Sequence, residues 1–255
     1  MNLILLSPAD FALGSLSSNS RLPSNTPGTD PVIARLEDRR FQHIAEVHRA
    51  QVGDTMKVGL INGDIGDGEV TERGERHITL KVSLYRSAPP GLPLTLLLAL
   101  PRPKMLKRTI QHATALGVKK LYLINAYRVE KSYWQSPWLA EDKLSEQCLL
   151  GLEQAVDTAM PQIELRKRFK PFVEDELPEL ARDSLKLVAH PVTTSACPID
   201  IRQQTTLAVG PEGGFIPYEV EKLQEAGFES VHLGPRILRV ETALPVLLSR
   251  LFPAS

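Results

Sequence analysis

The chain has 255 residues, 42% of them hydrophobic and 24% charged, with 30 basic side chains against 30 acidic ones. That length and apolar content support one large domain or two modest ones and exclude disorder as a description of the whole. A formal charge of zero gives no support for a strongly basic nucleic-acid binder, so any polyanion would have to be met by a local patch. No apolar run reaches the roughly 18 residues of a transmembrane helix, and the apolar stretch Leu3 to Leu6 is too short for a signal peptide. Cys148 and Cys197 stand far apart, which excludes a disulfide scaffold and a cysteine-based zinc site and points to the reducing cytoplasm. The 6 histidines show no zinc-type spacing either.

About the first 85 residues read as β-rich. Strands are predicted at 2–6, 55–61, 67–71 and 77–85, with turns at Asn62-Gly63-Asp64 and Arg73-Gly74. One helix interrupts them, capped by Asp38, and the i, i+3, i+6 spacing of Phe41, Ile44 and Val47 predicts one buried face. Such spacing suggests a small barrel or sandwich. Residues 14–31, rich in Ser, Asn, Pro and Gly, are predicted as a surface loop.

A linker at Ser87-Ala88-Pro89-Pro90-Gly91 divides the chain into expected domains 1–86 and 92–255. Beyond it, 94–100 is a continuous apolar run, as for a strand buried on both faces. A helix over 104–116 is stopped by Gly117, and a strand follows at 118–124. Ser136 and Pro137 fit the N-cap and N1 positions of a long helix reaching about residue 160. Then come strand 162–169, an acidic helix near 173–181, strands 185–189 and 205–209, helix 218–226 closed by Gly227, strand 230–233 and helix 242–252. This alternation predicts an α/β domain with a mainly parallel sheet.

Two stretches carry chemistry. Leu207-Ala208-Val209-Gly210-Pro211-Glu212-Gly213-Gly214-Phe215 runs from an apolar strand into a glycine-rich loop, with a helix beginning just beyond at Pro217. Glycines there permit tight turning and close approach of a ligand, and ligands of open α/β sheets bind beyond the carboxyl ends of the strands. The bland alternative is an ordinary βα turn, and neither the dinucleotide nor the Walker fingerprint is present. The second stretch, Val231-His232-Leu233-Gly234-Pro235-Arg236-Ile237-Leu238-Arg239-Val240-Glu241-Thr242-Ala243, again ends a strand at glycine, with two arginines and a glutamate flanking a helix start.

Together GPEGGF and LGPRILRVETA closely resemble the bacterial family that methylates N3 of a uridine in 16S ribosomal RNA, part of the SPOUT superfamily of knotted methyltransferases. Phe41-Gln42-His43-Ile44 through Arg49, then Gly53-Asp54, is similar to that family's N-terminal PUA-like barrel. Ala113 to Val118 is similar to its first helix-to-strand turn, and Glu153-Gln154 to part of its signature on the long helix. The resemblance implies a PUA-like, RNA-binding β-barrel over 1–86 and a SPOUT α/β domain with a deep trefoil knot over 92–255. It implies S-adenosylmethionine as cofactor, 16S rRNA or the small ribosomal subunit as partner, a homodimer packed through the knot, and no metal.

Carried onto this chain, the implied cofactor contacts are Leu187, His190, Pro191, Gly210, Pro211, Glu212, Gly213, Gly214, Leu233, Gly234, Ile237, Leu238, Thr242 and Ala243. N3 of uracil must lose a proton, which asks for a general base or for donors stabilising the ring's negative charge. Glu241 and Glu212 are carboxylates beside the expected cofactor, and Arg236 and Arg239 can hold phosphate or ring oxygens; Arg236, Arg239 and Glu241 are the candidate catalytic residues. For Glu241 a helix N-terminal charge, and for the arginines a structural ion pair, are the plain alternatives. RNA contacts are expected at Arg35, Arg49, Arg102, Lys104 and Gln154. The four basic ones fall in groups at Arg35/Arg39/Arg40/Arg49 and Arg102/Lys104/Lys107/Arg108; a third group is Arg166/Lys167/Arg168/Lys170. Charge runs are by default solvated faces.

The chain departs from the family after Glu153-Gln154, where Ala155-Val156-Asp157 replaces a small residue, glycine and arginine. His112 and Ala115 also replace a lysine and a glutamate. A carboxylate in place of a cation is expected to oppose RNA, which leaves open a paralogue with another RNA target, or a non-catalytic RNA-binding protein retaining the fold.

Overall fold

The computed structural model describes residues 2–11 and 32–253; the loop expected at 14–31 lies outside them. The chain divides into two compact units, Met1–Pro90 with Leu152–Met160, and Gly91–Gly151 with Pro161–Ser255.

In the first unit, β1 (Ile4–Leu6), β2 (Val32–Leu36), β3 (Thr55–Leu60), β4 (Ile65–Arg73) and β5 (Ile78–Arg86) form one sheet in the order β1-β3-β4-β5-β2. Only β1 and β3 run parallel. Alternate residues Ile78, Leu80, Val82 and Leu84 of β5 are buried, as the two-residue period of a strand with one covered face requires. Two register shifts where β4 pairs with β5 bend the ladder and curl the sheet. At one of them a Cβ on Gly66 would overlap the Ser83 carbonyl, so only glycine fits. Strand β2 was not anticipated: it is an edge strand beyond β5, five residues long, with Arg35 exposed between buried Ala34 and Leu36.

Helix α1 (Arg39–His43) is capped by Asp38, whose Oδ1 accepts the Arg40 N–H at 2.9 Å, and it continues as a π-helical turn over Ile44–His48. The wider turn rotates the following residues off the α-helical face. Ile44 is buried and Phe41 half-buried, but Val47 is 65% exposed, against the expected buried face.

The second unit holds a six-stranded sheet in the order β11-β9-β10-β6-β7-β8, formed by β6 (Leu94–Ala99), β7 (Lys120–Ile124), β8 (Gln162–Arg166), β9 (Leu185–Ala189), β10 (Thr205–Val209) and β11 (Glu229–Val231). Every pairing is parallel. The central strands β6 and β10 are buried along their whole length, which explains their unbroken apolar texture. Helices α2 (Pro103–Ala115), α3 (Glu141–Ala155), α4 (Phe169–Pro171), α5 (Leu177–Leu180), α6 (Pro217–Glu225) and α7 (Val240–Leu251) connect or follow them, with a π turn at Phe172–Glu176 between α4 and α5. Gly117 and Gly227, both at φ +90°, follow α2 and α6. Ser136 caps a separate 3-10 turn, Pro137–Leu139, rather than α3 itself. Lys107 lies 3.0 Å from the centroid of the Trp138 ring, and Trp134 donates its indole N–H to Asn125 at 2.9 Å.

Helix α3 ends at Ala155, short of the expected residue 160. Val156 takes the left-handed conformation at φ +57°, and the Asp157 N–H reaches back to the Leu152 carbonyl at 3.1 Å, the closure of a Schellman-type helix end. The segment Leu152–Met160 belongs to the first unit. Glu153 receives both guanidinium nitrogens of Arg39, at 2.6 and 3.0 Å, and its carbonyl accepts the N–H groups of Asn2 and Leu3 at 3.1 Å. Asn62 donates its N–H to the Thr158 carbonyl at 2.8 Å and accepts the Met160 N–H at 2.9 Å. Asp157 is 3% exposed, and its Oδ1 accepts the Ala159 N–H at 2.9 Å. The expectation that this carboxylate opposes RNA is thus overturned: it is buried and accepts a hydrogen bond from the backbone of the return segment.

Candidate functional site

A cavity of about 360 Å³ opens in the second unit at the carboxyl ends of β9, β10 and β11. Three loops form it, following the last residues of those strands. A parallel sheet aligns these ends on one edge, so a single ligand meets several chain reversals at once.

Thirteen of the residues singled out by sequence line this cavity: His190 and Pro191; Gly210, Pro211, Glu212, Gly213 and Gly214; Leu233, Gly234, Arg236, Ile237 and Leu238; and Ala243. Four others do not. Leu187 is 1% exposed inside β9, two residues short of the strand's end. On α7 the face toward the cavity carries Val240, Ala243 and Leu247, the i, i+3, i+7 stripe of one helical face. Glu241 and Thr242 fall off that stripe, and Thr242 is exposed. Arg239 is the residue preceding α7, its carbonyl accepting the Thr242 and Ala243 N–H groups at 2.9 and 2.7 Å.

Cavity residues not among the expected contacts are Ala189, Val209, Val231, His232, Val240 and Leu247. The first three are the terminal residues of β9, β10 and β11, and the rule that ligands sit beyond strand ends would have found them.

The loops are set by local chemistry. Gly214, at φ +73°, closes a turn in which its N–H donates to the Pro211 carbonyl at 2.7 Å. Gly234 has φ +105°, and its N–H donates to Nδ1 of His232 at 2.9 Å. That bond leaves the proton of a neutral His232 ring on Nε2. Burial pushes the His190 imidazole below its usual 6.5, so it faces the cavity uncharged at neutral pH. Gly213 has a reason other than the one its motif suggested: an added Cβ would lie 2.9 Å from Cδ of Arg128, whose guanidinium also donates to the Gly213 carbonyl. Its missing side chain makes room for an arginine stem.

Arg102 donates through Nε and its own N–H to Oε1 of Glu212, at 3.2 and 3.3 Å. Glu212 raises the Arg102 pKa first by that hydrogen bond and then by its charge, and Glu241 adds a smaller electrostatic contribution. Glu212 therefore faces the cavity with its charge balanced.

The expected RNA contacts are scattered between the units. Arg35 pairs with Glu37 at 2.7 Å, Arg49 holds a left-handed conformation at φ +52°, and Gln154 is exposed on the last turn of α3. Lys104 is exposed near the start of α2. Much of the basic charge is matched: Arg40 lies between Asp10 and Asp38 at 2.6 and 2.8 Å, and Arg166 between Glu164 and Glu176 at 2.7 and 2.6 Å.

A profile of the RNA methyltransferase domain family matches residues 88–252. The chain belongs to this family. Among similar proteins, ribosomal RNA small subunit methyltransferase E of Treponema pallidum is 28% identical over 216 residues, which cover 83% of this chain and 81% of that protein. The Mycobacterium bovis protein of the same name is 28% identical over 229 residues, covering 87% and 86% of the two chains. In fold, the RNA methyltransferase domain and the unit before it resemble a solved structure of ribosomal RNA small subunit methyltransferase E from Neisseria gonorrhoeae bound to S-adenosyl methionine. There the TM-score is 0.69 at 19% identity, with 98% of this chain and 95% of that one covered.

Proposed function

We propose that this RNA methyltransferase uses S-adenosylmethionine to methylate N3 of a uridine in 16S ribosomal RNA, as a cytoplasmic homodimer. In this reading the curled sheet is a PUA-like RNA-binding barrel and the parallel-sheet unit a SPOUT domain with a trefoil knot. The observation that carries the proposal is the cavity at the ends of β9, β10 and β11, walled by the GPEGG and LGPRIL loops. Its size falls at the small end of the ~300–1,000 Å³ range of ligand pockets. Apolar Ala189, Val209, Val231 and Leu247 stand beside turns rich in backbone donors and acceptors, the combination that a nucleoside needs.

The cofactor supplies an electrophilic methyl group. The chain's own residues then have to place N3 in line with that carbon, exclude water, and take one proton from the ring. A neutral His190 avoids opposing a sulfonium cation. Arg236, exposed at the cavity rim, is placed to hold a uracil oxygen as negative charge develops. Glu241, half-buried in the first turn of α7 and off the face that lines the cofactor cavity, would take the N3 proton of a uridine held outside that cavity, leaving the nitrogen pair free to accept the methyl group.

The test pairs calorimetric titration of S-adenosylmethionine with mass mapping of 16S rRNA from cells lacking the protein. Loss of one N3-methyluridine, restored by the wild-type protein and not by Glu241→Gln, is the expected result. An unchanged 16S map with intact cofactor binding would assign the enzyme another RNA.

A further inference from the structure

The loop after β7, Asn125-Ala126-Tyr127-Arg128-Val129, has no role in the reading above. Tyr127 is 79% exposed, against 57% for Tyr85 and 43% for Tyr218. Its backbone N–H and the residues beside it are nevertheless anchored. The Tyr127 N–H donates to Oε1 of Glu219 at 2.6 Å, while Oε2 accepts the Ile216 N–H at 2.9 Å, and Glu219 itself is 3% exposed. Ala126 and Val129 flank the tyrosine as buried anchors, joined by a Val129 N–H to Ala126 carbonyl bond of 3.0 Å. Asn125 donates its N–H to the Arg166 carbonyl at 2.9 Å. Arg128 lies along Gly213 and donates to its carbonyl, so this loop adjoins the wall of the cavity.

A buried carboxylate that uses both oxygens on backbone N–H groups immobilises a loop whose crown is an aromatic ring left in water. Burial of an exposed ring is favourable, so keeping it exposed on a rigid support leaves its face available for a partner. The neighbouring chemistry selects that partner. A base must leave its stack to present its Watson–Crick edge for modification, and unstacked RNA bases are received on aromatic faces. We propose that Tyr127 stacks a base of the target RNA at the cavity rim, with Arg128 as the positioning residue that ties its loop to Gly213. This rests on the proposed RNA methyl transfer.

The experiment compares Tyr127→Ala, Tyr127→Leu and Tyr127→Phe in the full chain. It measures affinity for a single-stranded uridine-containing RNA by anisotropy, S-adenosylmethionine binding by calorimetry, and oligomeric state by sedimentation. Stacking is worth roughly 1–3 kcal/mol per base, so Ala and Leu should weaken RNA binding by about fivefold to a hundredfold. Phe should stay within about twofold of wild type, and cofactor affinity should not move. Unchanged RNA affinity in Tyr127→Ala, or rescue by Leu equal to that by Phe, overturns the proposal. A changed oligomeric state at unchanged RNA affinity would make the ring a contact between copies, and also overturns it. Wild type that binds RNA through Tyr127 but transfers no methyl group would sink the enzymatic reading and leave the stacking intact.

Discussion

Asp157 stands where arginine was expected, at 3% exposure and bonded to the Ala159 N–H. Asp157→Arg would force a longer, oppositely charged side chain into that space and remove the acceptor. We expect a loss of about 2–4 kcal/mol, the range for burying a mismatched charge or orphaning a buried donor, read from urea denaturation. Tighter RNA binding at unchanged stability would contradict this placement. His190 yields a pH prediction whose sign follows from burial. Its folded pKa lies below the ordinary 6.5, so the unfolded chain binds more protons in acid. The stability from the neutral ring is complete above pH 6.5 and is lost as pH falls from there through the lowered folded value. Cofactor affinity should follow the same direction, flat above neutrality and weakening in acid, because a protonated ring beside the cavity repels a cation. His190→Gln should flatten that acid limb in calorimetry; a limb of undiminished height would place the titration elsewhere.

Helix ends divide what was legible in this sequence from what was not. Gly117 and Gly227, both at φ +90°, marked the ends of α2 and α6 because glycine alone enters that region freely. Helix α3 makes the same left-handed exit with Val156 at φ +57°, so its apolar pattern gave no stop. A β-branched residue there is strained by roughly 1–3 kcal/mol. Val156→Gly, which puts there the residue that the sequence resemblance led one to expect, should raise stability by about 1 kcal/mol after loss of the valine's partial burial; a lower melting temperature would show that its packing outweighs the strain. The π turn hid the phase of Val47, and β2, five residues long, is too short for its alternation to stand out. The central strands were plain from their apolar runs. The two cavity loops were likewise plain, from their glycines and the resemblance they carry. Glu219 and Arg128 were not, because their partners lie 92 and 85 residues away and no local period records such a contact.

At the scale of the molecule, the return of Leu152–Met160 to the first unit means that one cut cannot separate the two. A fragment of residues 1–90 lacks the Glu153 carboxylate for Arg39, the carbonyl for Asn2 and Leu3, and the Asn62 partners. It should therefore be largely unfolded by circular dichroism, and a peptide of residues 150–162 added in trans should increase its structure. A cooperative unfolding transition for residues 1–90 alone would refute this. The cavity has its own consequence for how the protein comes into being. All of its walls lie between Ala189 and Leu247, and β10 must insert between β6 and β9 after both have been made. Contacts of such long sequence separation form late, and synthesis proceeds from the N-terminus. During translation the first strands emerge from the ribosome well before any cofactor can be held. A chain arrested between Met160 and Leu247 would carry every segment of the first unit with an incomplete cavity, and so would be a competitor for any RNA that the first unit binds rather than a slow enzyme.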